Sequence, residues 1–106
     1  MSKDETVYIK HFLDAIARIE RYLAGISYDR FNEDTLIQDG VIRQLEIIGE
    51  ASKRLSDDSK ASFEDIPWKD IAGMRDKLIH DYLGTDIKAM WDTAKDDIPS
   101  LKSNLT

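Results

Sequence analysis

The sequence has no cysteine, only two prolines and two histidines, and no long uninterrupted apolar run. Without cysteine, disulfides, thiolate metal sites and a cysteine nucleophile are all excluded. His11 and His80 would have to recruit carboxylates from elsewhere to hold a zinc ion, so neither a metal nor a cofactor is expected. There is no phosphate-cradling glycine loop, no nucleophile elbow and no H-E-x-x-H pattern. Charges interrupt the N-terminal stretch "MSKDETVYIKHFLDAIARIERYLAG" every few residues. That leaves neither a signal-peptide core nor the roughly 18 apolar residues of a membrane span. A soluble, cytoplasmic protein is expected.

Positive charge is also in deficit, with 15 Lys and Arg against 21 Asp and Glu, a net charge of −6. This balance opposes the sequence-independent phosphate attraction behind most nucleic-acid binding. Any RNA contact must therefore be local, created by folding or by assembly. With 106 residues, 42% hydrophobic and 34% charged, the chain has room for one domain, residues 1–106, and is too apolar for a disordered protein.

The apolar residues repeat at helical spacing. Ser2 with Glu5 has the form of a capping box, and Ile9, Leu13, Ile16, Leu23 and Ile26 follow, which predicts a first helix over about residues 4–25. Gly25 and the polar "SYDRFNED" break it. Asn32 or Asp34 can cap a second helix over about 34–56, in which Ile37, Val41, Leu45, Ile48, Ser52 and Leu55 form the repeat. Glu46, Glu50, Lys53 and Arg54 lie three and four apart on its wet side, and Gly40 and Gly49 mark close helix contacts. "SDDSKASFEDI" reads as a connection with room for a helical turn, and Pro67 fits the first position of a third helix, bent near Gly73 and ended by Gly84. Thr85 can cap a last helix carrying Ile87, Met90, Trp91, Ala94, Ile98, Leu101 and Leu105, kinked or divided at Pro99. With no alternating β segment, the expected fold is all-α, most simply an antiparallel four-helix bundle.

One stretch combines residues suited to chemistry: "MRDKLIHDY", Met74 to Tyr82. On a helix Arg75 and Tyr82, seven apart, share a face, while His80 is rotated from Arg75 by about 140°. Asp76 lies four residues before His80 and can fix its tautomer. The spacing alone favours an exposed polar face with a local Asp–His pair over a site. His11, beside Phe12, reads as a structural or surface residue, and Phe12, Phe63, Trp68 and Trp91 read as core. Carboxylates adjacent in "KDD" and "SDD" diverge on a helix and read as solvated.

Three segments together, "YIKHFLDAIARIERYLAGISYDRF", "DGVIRQLEIIGEASKRLS" and "IPWKDIAGMRDKLIHDYLGTDIKAMWDTAKDDIPSLK", resemble the HepT-like toxins of the HEPN superfamily, which are encoded beside a minimal nucleotidyltransferase antitoxin. The most specific element is R-x-x-x-x-H-x-Y, here Arg75, His80 and Tyr82. The resemblance implies a homodimeric helical bundle that cleaves RNA without metal, with Arg75 and His80 as the catalytic pair. Asp76 fills the polar position after the arginine. Tyr82 corresponds to the tyrosine that receives AMP from the cognate nucleotidyltransferase. The chemistry agrees with that implication, since histidine suits proton transfer near neutral pH and arginine suits a bidentate phosphate contact. A two-fold dimer would supply two histidines to one cleft. A noncatalytic dimeric adaptor for a nucleotidyltransferase is the alternative, because Asp76 and the acidic balance both disfavour phosphate.

Overall fold

The computed structural model describes residues 5–73 and 86–105, and these are helical with no strand among them. Two long helices form the frame, α1 (Thr6–Leu23) and α3 (Thr35–Lys53). They run antiparallel: at one end the Glu5 carboxylate accepts from the Ser56 backbone N–H and hydroxyl, and at the other Tyr22 lies against Gly40. A Cβ on Gly40 would sit 3.2 Å from the Tyr22 ring, so the glycine does mark a close approach. Along this pair Phe12, Ala15, Ile16, Ile19 and Leu23 meet Val41, Leu45 and Ile48 in the buried core, because the apolar residues recur every three or four positions on each helix.

The segment between the two helices departs from the sequence expectation. Instead of a plain polar break, residues Tyr28–Glu33 form a short helix, α2. Gly25 takes a positive φ of 70° after α1, a conformation that suits glycine. Ser27 then caps α2 by accepting from the Arg30 N–H at 3.2 Å, and Phe31 is 0% exposed. The break is polar in composition, yet one buried ring and one cap suffice to wind it. Asp34 ends α2 and starts α3, accepting from the Ile37 N–H at 3.1 Å and from Arg30 Nε at 3.3 Å. Gln38 closes the corner from inside, its Nε2 donating to the Phe31 and Asn32 carbonyls at 2.8 and 3.2 Å.

After α3 the expected turn is present as α4 (Asp57–Ala61), capped by Ser56. Pro67 opens a helical stretch over 68–73, α5. The last helix is divided. α6 (Ile87–Asp92) passes through a π-helical turn, Thr93–Asp97, into α7 (Ile98–Leu105). The Ile98 N–H donates to the Thr93 carbonyl, five residues back. Pro99 explains the widened turn: it cannot donate to the carbonyl four residues earlier, and its ring would crowd that group in a regular α-helix. The cap of α6 is Asp86, whose carboxylate accepts from the Ala89 N–H at 3.0 Å, and not the expected Thr85, which lies outside the described residues with Gly84 and Ser2.

Candidate functional site

Arg75, Asp76, His80 and Tyr82 all lie outside the described residues. The structure describes what leads into and out of them. Trp68 anchors the entrance. Its indole Nε1 donates to the Lys60 and Phe63 carbonyls at 3.0 and 3.2 Å, and its ring meets Phe12 edge-on with centroids 5.8 Å apart. The Ile71 N–H donates to the Pro67 carbonyl at 3.0 Å, and Ile66 and Ile71 are buried. The segment before the motif is thereby tied to α1 and to the α4 connection by both hydrogen bonds and apolar contact. On the far side Asp86 starts α6, which is held by aromatic packing: Trp91 meets Phe31 at 5.2 Å and Tyr28 at 5.7 Å between centroids.

A groove of about 540 Å³ runs between α5 and the C-terminal arm and reaches Gly73, the last described residue before the motif. Lys69 and Asp70 lie on one wall, Asp97, Ser100 and Asn104 on the other. Among the described lining residues two carboxylates stand against one ammonium, a net negative balance. A phosphate held here would need positive charge that this wall does not supply. Among the described residues no group of three or more His, Asp or Glu is arranged to hold a metal ion. The acidic pairs of the "SDD" and "KDD" stretches stand exposed, at the start of α4 and in the π-helical turn.

His11 is exposed on α1 and meets the Tyr8 ring edge-on at 6.1 Å. It borders a shallow groove of about 530 Å³ between α1 and α3, into which Arg43, Glu46, Glu50 and Arg54 project. Sequence reasoning placed Glu46, Glu50 and Arg54 on the wet side of α3 but drew no site from them. The available signal was their spacing with Arg43, which repeats every three or four residues. Lys88 has a displaced pKa. The hydrogen bond from its ammonium to the Asp92 carboxylate raises it above 10.5.

Residues 12–106 match the family model of the HepT-like ribonucleases, "Ribonuclease HepT-like". The chain is 46% identical over 102 residues to a protein of Thermococcus cleftensis described as "Probable ribonuclease HepT", covering 96% of this chain and 93% of that one. It is 43% identical over 105 residues to a protein of Methanocaldococcus jannaschii described as a gamma-glutamylcyclotransferase and candidate RNase, covering 99% of this chain and 47% of that longer one. A candidate RNase of Caldanaerobacter subterraneus is 39% identical over 98 residues, 92% of this chain and 88% of that one. No solved structure matches the chain.

Proposed function

Because the chain belongs to the HepT-like ribonuclease family of the HEPN superfamily, we propose that it is a metal-independent endoribonuclease, the toxin of a toxin–antitoxin pair, acting in the cytoplasm through Arg75 and His80. The observation that carries this reading is the extent of the match, residues 12–106, which contains Arg75, His80 and Tyr82 at the R-x-x-x-x-H-x-Y spacing.

Cleavage proceeds by proton transfer and charge stabilisation. A base removes the proton of a ribose 2′-OH, and O2′ attacks the adjacent phosphorus. The P–O5′ bond then breaks as an acid protonates O5′, leaving a 2′,3′-cyclic phosphate and a free 5′-OH. His80 of one protomer takes the first proton and His80 of its partner gives the second, since each chain offers only one histidine in the motif. The two Arg75 guanidiniums hold the phosphoryl oxygens as negative charge builds there. Pairing two motifs across a two-fold axis also concentrates positive charge on a protein of net charge −6. Asp76 orients the imidazole. Attachment of AMP to the Tyr82 hydroxyl by a nucleotidyltransferase antitoxin places a phosphate beside this cleft and silences it by repulsion and bulk.

Purified protein incubated with RNA in EDTA is expected to cleave it, and the His80→Ala protein is not. Equal cleavage by both would overturn the assignment. The acidic walls of the groove beside α5 favour a second reading, a noncatalytic dimeric adaptor for a nucleotidyltransferase. A dimer that binds the nucleotidyltransferase and leaves RNA intact under all conditions would select it.

A further inference from the structure

The outer face of α3 carries a stripe of charge that is complementary to itself. Asp39, Arg43, Glu46, Ile47, Glu50 and Arg54 fall within an arc of about 100° on a helix of 3.6 residues per turn. Asp39, Arg43 and Arg54 are exposed, and Glu46, Ile47 and Glu50 are half-buried. Reading outward from a point between Glu46 and Ile47, the charges invert: Arg43 lies as far on one side as Glu50 on the other, and Asp39 as far as Arg54. A second α3 laid antiparallel across a two-fold axis at that point sets Arg43 opposite Glu50 and Asp39 opposite Arg54. Symmetry makes each pair twice, and the two Ile47 side chains lie beside the axis.

We propose that this stripe, seated against the groove between α1 and α3 of a second copy, is the surface through which the chain forms a homodimer. The inference rests on the dimer of the proposed function and assigns the face that makes it. Neither Arg43 nor Arg54 forms an ion pair with another described residue. Glu50 has Lys53 at 3.9 Å, and its side chain is 44% exposed. The groove alongside supplies an apolar floor in Ala51 and half-buried Ile47, with Tyr8 on its wall. An RNA backbone is a poor occupant of the same face. Three carboxylates are interleaved with two guanidiniums along the stripe, which leaves it net negative and repels phosphate. Alternating signs suit a surface of the same alternating pattern run in the opposite direction.

The test is a charge swap measured by sedimentation velocity on the full chain over a range of concentrations. Arg43→Glu and Glu50→Arg each turn two symmetry-related attractions into repulsions. Each is expected to weaken the dimer by about tenfold or more in Kd. The double variant restores opposite charges across the axis and is expected to return Kd to within about threefold of the wild type. Within one chain these residues are seven apart, about 10 Å along the helix, so recovery cannot come from an intramolecular pair. Asp39→Arg and Arg54→Glu, alone and together, repeat the design and carry the test if Glu50→Arg fails to fold by circular dichroism. A dimer unchanged by the single reversals, or a swap that does not recover, overturns this interface while leaving the composite Arg75/His80 site possible on another face. A wild type that is monomeric throughout overturns both. Loss of RNA binding in Arg43→Glu with an unchanged dimer assigns the stripe to RNA instead.

Discussion

The α1–α3 pair and the C-terminal arm of α6 and α7 reach the same core by different means. α1 and α3 are single helices of 18 and 19 residues whose apolar positions face each other along their length. The arm is assembled from pieces of six, five and eight residues and widened by a π-helical turn before Pro99. It buries Met90, Ala94, Ile98 and Leu101, and lays Asp97, Ser100 and Asn104 along the groove beside α5. The long pair therefore acts as scaffold, while the interrupted arm faces α5, the helix that leads into the motif. Irregular backbone costs stability, and here it lies in the short arm rather than in the long pair, with Ala94 of the turn still reaching the core.

If that division holds, substitutions in the motif remove activity without loosening the scaffold. Arg75→Ala and His80→Ala are expected to reduce RNA cleavage by about 10² to 10⁴, the usual worth of a proton-transfer or charge-stabilising group. Their melting temperatures should stay close to that of the wild type. His11→Ala, on the scaffold pair beside the proposed dimer groove, is the control and, assayed at concentrations where it is shown to be dimeric, should cleave normally. A His11→Ala protein as inactive as His80→Ala would move the chemistry to the α1–α3 groove and break the division.

Truncation of the scaffold should do the reverse. Phe12 is 0% exposed and meets Trp68, the residue that anchors the approach to the motif. Phe12→Ala is expected to cost about 3–5 kcal/mol through lost burial and a residual cavity, read by urea unfolding. A loss under about 1 kcal/mol would mean that the site relaxes and the core is less specific than its packing implies. Gln38→Leu tests the corner between α2 and α3 in the same assay. It keeps the volume but leaves the Phe31 and Asn32 carbonyls without their side-chain donor, and about 1–3 kcal/mol of destabilisation is expected. An unchanged unfolding midpoint would show that other donors take over at those carbonyls.

The same contrast governs what could be read from the residues in advance. α1 and α3 were legible to within a few residues because a long run of same-face apolar side chains has one consistent period. α2 was not: its six residues contain one buried ring, and what winds them is Phe31 packing against Trp91 together with the Ser27 cap. The π-helical turn was visible only as the disturbance expected at Pro99. Asp86 took the cap from Thr85, a one-residue difference between two residue types that both cap helices, Asp the better. The motif at Arg75, His80 and Tyr82 was legible by resemblance and lies outside the described residues. The α3 stripe was legible as solvated ion pairs, but its self-complementarity emerges only when a second copy is set beside it.

The smallest effect expected lies on the arm. Lys88 donates to the Asp92 carboxylate at 2.6 Å, four residues on, and its ammonium stands 5.3 Å from the Tyr28 ring centroid. The pair is exposed, so its worth is limited by solvent screening. The hydrogen bond to Asp92, with the negative charge of that carboxylate, holds the Lys88 pKa above 10.5 in the folded chain. A raised pKa means that the folded state binds this proton more tightly than the unfolded chain does. The resulting stabilisation is complete below 10.5 and is lost as pH rises through the folded-state value. Lys88→Met, which keeps the length of the side chain and removes its charge, should therefore melt slightly below the wild type at neutral pH. The gap should close as both proteins are taken to increasingly alkaline pH. A gap that persists unchanged at strongly alkaline pH would assign the effect to packing of the lysine stem on Tyr28 and not to its charge, and α6 would then be held to α2 by apolar contact alone.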